Sequence, residues 1–254
     1  MSEYLACVLR AEMPASFEQE ALCAQAVAAR TYTLYKLSSG GNHQPEADIC
    51  GDHTCCQAYL DRDKAAANWG DKARAYEAKI ENAVSETDGQ TILYGGEPIL
   101  AVFHSSSAGQ TKSAGEVWTQ DLPYLQSVSS PEQESEIPNY YSRVSFTPAE
   151  FREKFLAAYP EADFSGGVSG WVKNLTLTEG INVDRVTIGG VSVRGSQIRT
   201  IFGLRSASFE IEIQDGNLVF YVTGYGHGVG MSQYGANYMA KQGSDFKEIL
   251  TYYY

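Results

Sequence analysis

AEMPASFEQEALCAQAVAAR, residues 11–30, is the stretch around which the rest of the sequence is organised. Pro14 ends a first helix, because proline cannot continue the hydrogen bonding of a helix interior. Ser16 and Gln19 have the S-x-x-Q spacing of a capping box, so a second helix is predicted over 17–37. That helix has small residues on most faces, which predicts close contact with neighbouring elements on most sides.

Glu12 lies at the junction of these two helices, and its carboxyl group has two interpretations. Enclosure by apolar groups raises the pKa of a carboxyl group, which suits a general acid near neutral pH. The alternative, which position alone favours, is a structural glutamate that caps backbone groups or pairs with a cation. Arg30 ends the small-residue run and is expected to be part-buried, so it needs a carboxylate from the protein or from a ligand. A tight Arg30–Glu12 pair would lower the pKa of Glu12 and argue against an acid catalyst.

The composition limits the function classes. The 254 residues allow one large or two small domains, and the net charge of −12 argues against broad binding to nucleic acid or to anionic membranes. No apolar run approaches the ~18 residues of a membrane span, and the first residues lack the pattern of a signal peptide. A cytosolic protein and an extracellular domain separated from its anchor both have such a composition.

The periodicities predict an α+β fold, with a helical core around Glu12 and antiparallel strands. The apolar run ILAVF, which ends at Phe103, is expected to form a central strand after a turn at 95–98. An alternating block is expected to form a small inserted α/β subdomain over 145–212, so the core comprises 1–144 and 213–254. The other elements are predicted as helices over 2–11, 71–87, 148–159, 194–202, 232–241 and 245–253, and as strands within 90–94, 171–213 and 218–226.

A cluster of soft metal ligands lies in a region without periodicity. Cys50, Cys55 and Cys56 are close together in sequence, with His43 and His53 nearby. Cysteine and histidine at short spacings are typical of tetrahedral zinc sites, and a closed structural site is expected here. A disulfide between Cys50 and one of the other two cysteines, or chance clustering, remains an alternative.

Two polar segments are candidates for ligand binding. HSSSAG, residues 104–109, follows the apolar run, and it is expected to bind a substrate rather than to supply a nucleophile, because adjacent residues of an extended segment point to opposite faces. In GYGHGVGMSQYG, residues 224–235, the glycines allow the backbone to pass close to a packed element or to a ligand. Ser232 could cap the helix that follows, with Gln233 and Tyr234 on its first turn, where a sugar could be hydrogen-bonded.

Six segments occur in an order that resembles a known family. They are AEMPASFEQEALCAQAVAARTY at 11–32, DICGDHTCCQAY at 48–59, FHSSSAG at 103–109, GEVW at 115–118, PYLQSV at 123–128 and GYGHGVGMSQYGANYMAKQG at 224–243. Together they resemble the stage II sporulation protein D (SpoIID) family of peptidoglycan lytic transglycosylases. The resemblance implies a membrane-anchored protein whose domain lies between the mother-cell and forespore membranes. There it would cleave MurNAc–GlcNAc bonds during engulfment, in glycan strands that a partner amidase has stripped of peptides. It would act with other membrane proteins of engulfment, and no nucleic-acid partner is implied.

The same resemblance implies roles for individual residues. Glu12 takes the place of the family's catalytic acid in the E-M-P motif, and it would serve first as acid and then as base, giving a 1,6-anhydro product without a second carboxylate. The implied substrate-binding residues are Gln25, Arg30, His104, Ser105, Ser107, His227, Ser232, Gln233 and Tyr234. The implied ligands of a structural zinc ion are His43, Cys50, Cys55 and Cys56. The sequence departs from many relatives at Cys23, where they carry lysine, and at Cys55-Cys56, where some have His-Cys.

Two other hypotheses belong to different functional classes. The chain could be a non-catalytic module that binds peptidoglycan glycan and recruits a cell-wall amidase, or a cytosolic metalloprotein or redox protein that uses its cysteine cluster. Retained glycan binding without an anhydro product would distinguish the first, and metal analysis with thiol titration would test the second.

Overall fold

The computed structural model describes residues 1–39, 47–52, 54–118, 120–178 and 182–254. The chain divides into a helical unit, Met1–Phe103 with Gln233–Tyr254, and a mixed unit, His104–Ser232. Helices and antiparallel sheets occur together, so the α+β class that the sequence predicts is confirmed. No helix in the described part of the chain combines the length and the apolar character needed to cross a membrane.

The elements are numbered here in chain order. The helices are α1 (Ser2–Glu12), α2 (Gln19–Ser38), α3 (Arg62–Trp69), α4 (Ala73–Glu86), α5 (Ala114–Val117), α6 (Pro148–Ala158), α7 (Gly195–Phe202), α8 (Gln233–Lys241) and α9 (Phe246–Tyr253). The strands are β1 (Leu93–Tyr94), β2 (Glu97–Pro98), β3 (Phe103–His104), β4 (Tyr141–Phe146), β5 (Val172–Leu177), β6 (Val183–Ile188), β7 (Val191–Arg194), β8 (Phe209–Gln214), β9 (Asn217–Thr223) and β10 (Met231–Ser232).

Helix α2 is the centre of the helical unit, and it packs against α1, α4, α8 and α9. Its alanines make this possible, because side chains such as Ala24 and Ala28 are fully buried and let the neighbouring backbones approach. The predicted capping box is wrong. The helix begins at Gln19 after Glu18, and no side chain caps it. Phe17 donates its backbone N–H to Pro14 O at 3.0 Å, so the chain is still turning at the position where the box would need to start the helix.

The apolar run before His104 is buried at Ile99 and Ala101 and half-buried elsewhere, but it is not the expected central strand. Ala101 N–H donates to Ile99 O and Val102 N–H donates to Leu100 O, each at 2.9 Å, which is the i→i−2 bonding of γ-turns. Only Phe103–His104 is extended as a strand. Burial alone produced the apolar pattern, because a folded-back segment packed inside a unit needs the same side chains as a strand.

The mixed unit contains two three-stranded antiparallel sheets, with strand orders β4-β9-β8 and β5-β6-β7. Their core is aromatic: the ring of Phe202 lies 4.6 Å from that of Phe151 and 5.0 Å from that of Phe220, measured between centroids. The observed boundaries of the unit differ from the predicted 145–212. Strand β9 pairs with both β4 and β8, so one sheet contains strands from both sides of the predicted segment.

Candidate functional site

Glu12 is the last residue of α1, and it is half-buried. Its Oε1 accepts a hydrogen bond of 2.7 Å from the backbone N–H of Ala58. The helix ends at Met13, whose extended backbone (φ −123°, ψ 136°) leads into Pro14, as the position of the proline predicts. A carboxylate at a helix terminus is therefore fixed by a second, distant segment of the same unit.

That second segment, residues 57–60, is a strap across α1 and α2. Gln57 donates its side-chain amide to Thr33 Oγ1 at 3.0 Å and to Ala29 O at 3.4 Å, both on α2. Leu60 N–H donates to Cys7 O of α1 at 3.0 Å. The strap begins directly after Cys56, so the cysteine cluster is covalently continuous with the backbone that holds Glu12.

The cysteine cluster has the donor set of a metal site. The sulfur atoms of Cys50, Cys55 and Cys56 all lie within 4.8 Å of one another. None of the five cysteines, all of which are described, forms a disulfide, so that alternative is not realised. A hydrogen bond from the Asp52 backbone lowers the pKa of the Cys50 thiol, and the neighbouring Cys50 sulfur raises the pKa of Cys55 to about 11. Three thiolates suit Zn²⁺ and need a fourth ligand; the expected His43, like His53, lies outside the described residues.

The structure corrects the prediction that Arg30 faces a substrate anion. The residue is only 4% exposed, and its guanidinium caps the C-terminus of α4. It donates to Thr87 O at 2.7 Å, to Gln90 O at 3.1 Å and to Val84 O at 3.3 Å. Among the described residues Arg30 makes no ion pair with Glu12, so the pairing that would have argued against an acid catalyst is not formed. Burial lowers the pKa of Arg30.

Other predicted residues of the helical unit are buried. Gln25 is fully buried on α2, and its Oε1 accepts from Gln233 Nε2 on α8 at 3.3 Å, so this pair joins two helices. Tyr234 is half-buried and lies edge-on to Phe17, with 4.9 Å between the ring centroids. Cys23 is also fully buried; burial raises the pKa of its thiol to about 12.

In the mixed unit the structure brings His104 and His227 together, with 5.7 Å between their ring centroids. His104 is buried, and its Nδ1 lies 3.2 Å from Val229 O, which fixes the tautomer with a proton on Nδ1. Burial, followed by the nearby His227, holds the pKa of His104 well below its usual value. His227 is half-buried; its Nδ1 accepts from Val229 N–H at 3.1 Å, and its ring lies 5.5 Å from that of Trp118. His104 is therefore a neutral, structural histidine, and His227 is the more exposed of the two.

Glu132, which the sequence analysis did not single out, holds the serine residues together. Its Oε1 accepts from the backbone N–H of Ser107, from Ser107 Oγ at 2.9 Å and from Ser232 Oγ at 3.0 Å. Ser232 Oγ also lies 3.4 Å from Ser105 O. Glu132 is one of three glutamates within residues 132–136, so the sequence contained no signal that singled it out. Ser107 and Ser232 thus form one network with a carboxylate, and both are buried.

Two glycines explain how the glycine-rich segment reaches this serine loop. Gly224 (φ +76°) and Gly226 (φ +121°) adopt backbone conformations that favour glycine. A Cβ atom on Gly224 would lie 2.8 Å from Ser106 O, and one on Gly226 would lie 2.6 Å from the Cβ of His104. The sequence left two explanations for these glycines open, close packing against another element or contact with a ligand. The structure shows close packing against residues 104–107.

Comparison with known proteins places these residues in a family context. A family model described as "Stage II sporulation protein" matches residues 1–94. The chain is 37% identical to Stage II sporulation protein D of Bacillus subtilis (strain 168), covering 100% of this chain and 72% of that protein. The same figures hold for Stage II sporulation protein D of Bacillus amyloliquefaciens. A protein named Amidase enhancer, from Bacillus subtilis (strain 168), is 28% identical over 97% of this chain and 39% of its own length.

Proposed function

The chain belongs to the stage II sporulation protein D family, and we propose that it is a lytic transglycosylase that cuts peptide-stripped glycan strands of peptidoglycan, with Glu12 as the catalytic group. The observation that carries the proposal is the placement of Glu12. Its carboxylate lies at the end of a buried helix, remains half-exposed, and is oriented by the Ala58 N–H. Such a group is both fixed in position and within reach of a ligand.

The chemistry requires one carboxyl group in two successive roles. Glu12 as the acid protonates the glycosidic oxygen between MurNAc and GlcNAc, and the bond from that oxygen to C1 of MurNAc breaks. Glu12 as the carboxylate then takes the proton of the C6 hydroxyl, whose oxygen bonds to C1 and closes the 1,6-anhydro ring. Glu12 ends in the protonated form in which it began, so the reaction consumes no water and requires no second carboxylate, in contrast to two-carboxylate glycosidases.

A structural zinc ion fits this proposal. Cys50, Cys55 and Cys56 would hold it, with His43 as the proposed fourth ligand. When bound, the ion supplies a cross-link, because structural zinc couples to folding. The strap at 57–60, which follows the cluster, would then be anchored at its start, and with it the N–H that orients Glu12.

The setting and partners of the chain are also proposed. A relative named Amidase enhancer supports action beside a cell-wall amidase that supplies peptide-stripped glycan. In keeping with the sporulation family, we place the domain on the outer face of the membrane during engulfment, with membrane partners. Ser105, Ser107, His227, Ser232, Gln233 and Tyr234 remain the proposed substrate-binding residues.

The experiment is digestion of amidase-treated peptidoglycan, with the products identified by mass spectrometry. The wild-type chain should release fragments with 1,6-anhydroMurNAc ends, and Glu12→Gln should release essentially none. Glu3→Gln, at the other end of the same helix, is the matched control and should retain activity. Anhydro products from Glu12→Gln at the wild-type level would remove Glu12 from the mechanism.

A non-catalytic glycan-binding module is the second candidate, favoured by the name of the amidase-enhancing relative. This function predicts that the wild-type chain binds stripped glycan and increases the activity of an added amidase, without forming any anhydro ends itself. Glu12→Gln would then behave as the wild type in both assays.

A further inference from the structure

The mixed unit carries two arginines beside an exposed tyrosine. The guanidinium carbon of Arg205 lies 4.0 Å from the ring centroid of Tyr225, in cation–π geometry. Arg199 is adjacent, since its Nε donates to Arg205 O at 3.2 Å. Tyr225 is 44% exposed, so this cluster of three side chains reaches the surface of the unit.

The two guanidinium groups have little to neutralise them within the protein. In the part of the chain that the structure describes, neither Arg199 nor Arg205 forms an ion pair with a carboxylate. The Nε atom of Arg205 is buried, and no hydrogen-bond acceptor among these residues contacts it. Burial also lowers the pKa of Arg199. A guanidinium withdrawn from water is costly without an anion, and a ligand carboxylate would satisfy it with two parallel hydrogen bonds.

The position of Tyr225 is fixed by its backbone. Ser106 N–H donates to Tyr225 O at 3.1 Å, and Tyr225 N–H donates to Ser106 O at 2.8 Å. Gly224 and Gly226 on either side permit this close approach to the serine loop. The backbone of Tyr225 is therefore held next to Ser106, and its ring is held against the Arg205 guanidinium, at low entropic cost to any ligand that packs against the ring.

We propose that Tyr225, Arg205 and Arg199 form a binding subsite for a carboxylated sugar, with the ring against the apolar face of the sugar and the guanidinium groups on its carboxylate. This inference rests on the proposed function for its substrate, because the carboxylated sugar of a peptide-stripped glycan strand is MurNAc with its lactyl group. A chain of net charge −12 needs a local cation to bind such a polymer, and Arg30 is occupied in capping α4.

The test compares two soluble tetrasaccharides by calorimetry on the Glu12→Gln chain. One alternates GlcNAc and MurNAc, and the other is chitotetraose, which has no carboxylate. The GlcNAc–MurNAc ligand should bind about 10-fold more tightly, as expected for a charge-assisted hydrogen-bonded contact. Arg205→Met should abolish this preference, and Arg205→Lys should retain part of it. Tyr225→Ala should weaken both ligands, whereas Tyr225→Phe should weaken neither.

The controls keep this proposal separate from the catalytic one. Arg152→Met removes an exposed arginine from α6 in the same unit, and it should leave the preference intact. If the wild type cleaves glycan and Arg205→Met keeps the preference for MurNAc, the subsite is refuted and the enzyme stands. If Arg205-dependent binding occurs without cleavage by the wild type, the subsite stands and the catalytic proposal fails. If neither tetrasaccharide binds, the subsite is refuted whatever the cleavage result.

Discussion

Arg30 shows how a buried charge was misassigned at the scale of a single residue. Its position after a small-residue run correctly predicted burial. Burial shows that the guanidinium needs hydrogen-bond acceptors, but it does not show which groups supply them. Three carbonyl oxygens at the end of α4 meet that need, more than 50 residues along the chain. A guanidinium at a helix C-terminus is favoured both by these unpaired carbonyls and by the helix dipole.

Replacing Arg30 by Met is therefore expected to lower stability. The part-buried carbonyl of Gln90 would lose the donor that Arg30 supplies, and the buried carbonyl of Thr87 would keep only the backbone N–H of Gln90 at 3.1 Å, at a cost of about 1–3 kcal/mol in the free energy of unfolding. Urea denaturation measures this, and Arg62→Met, whose side chain is 64% exposed, should change little. Unchanged stability together with weaker glycan binding would restore the substrate-binding role.

Glu132 is expected to organise the serine loop. In Glu132→Ala the Ser107 N–H, Ser107 hydroxyl and Ser232 hydroxyl lose their common acceptor, so the free energy of unfolding should fall by about 1–3 kcal/mol. Glycan affinity should fall with it, which separates this variant from a general loss of stability. Gln133→Ala, next in the chain and exposed, is the control. Wild-type values of both stability and affinity in Glu132→Ala would contradict this role.

Lys112 gives a pH prediction. It is 5% exposed, and burial, with Arg199 nearby, lowers its pKa from 10.5 to about 8. Between pH 8 and 10.5 the unfolded chain binds the proton and the folded chain does not, so this residue makes stability rise with pH through that window. Below pH 8 the cost of the buried charge is fully present, at about 3 kcal/mol. Unfolding midpoints of Lys112→Met and wild type should therefore differ most at pH 7 and converge toward pH 10; parallel pH profiles would contradict this.

At the scale of elements, α2 organises the helical unit because its small side chains let the neighbouring helices pack close to its backbone, which leaves no space there for larger side chains. Ala24 and Ala28 are completely buried, and the helix contacts four others. The sequence predicted this helix well, because alanine, glutamine and leucine, which make up most of its first half, all favour a helix. It predicted the 99–103 segment badly, because an apolar run does not distinguish a strand from buried γ-turns.

Ala28→Leu should overpack this centre and destabilise the chain by about 1–3 kcal/mol or more. The melting temperature measures the effect, and a lost or multiphasic transition would count as a severe form of it. Ala157→Leu, at an exposed position of α6, introduces the same side chain and should leave the melting temperature near wild type. A harmless Ala28→Leu would mean that α2 is not closely packed.

At the scale of the whole molecule, the cysteine cluster connects folding to the proposed chemistry through the strap at 57–60. Chelation should lower the melting temperature, and it should reduce glycan cleavage through the position of Glu12 rather than through direct metal chemistry. Cys55→Ser should lose bound zinc and its response to chelator, while Cys23→Ala, inside α2, should retain both. A chain that binds no zinc, or whose melting is unaffected by chelator, would exclude a structural ion.

The sequence by itself determined the local structure and the order of the motifs. Pro14 ends α1, Thr147 and Pro148 start α6, and Asp215-Gly216, with φ of +50° and +79°, turn β8 into β9. These outcomes follow from backbone preferences that act within a few residues. Only the tertiary structure decided which groups satisfy the buried charges: α4 for Arg30, the Ala58 N–H for Glu12, and two serines for Glu132. Such partners are distant in sequence, and they are selected by packing and by the cost of leaving a buried polar group unpaired, which no local pattern records.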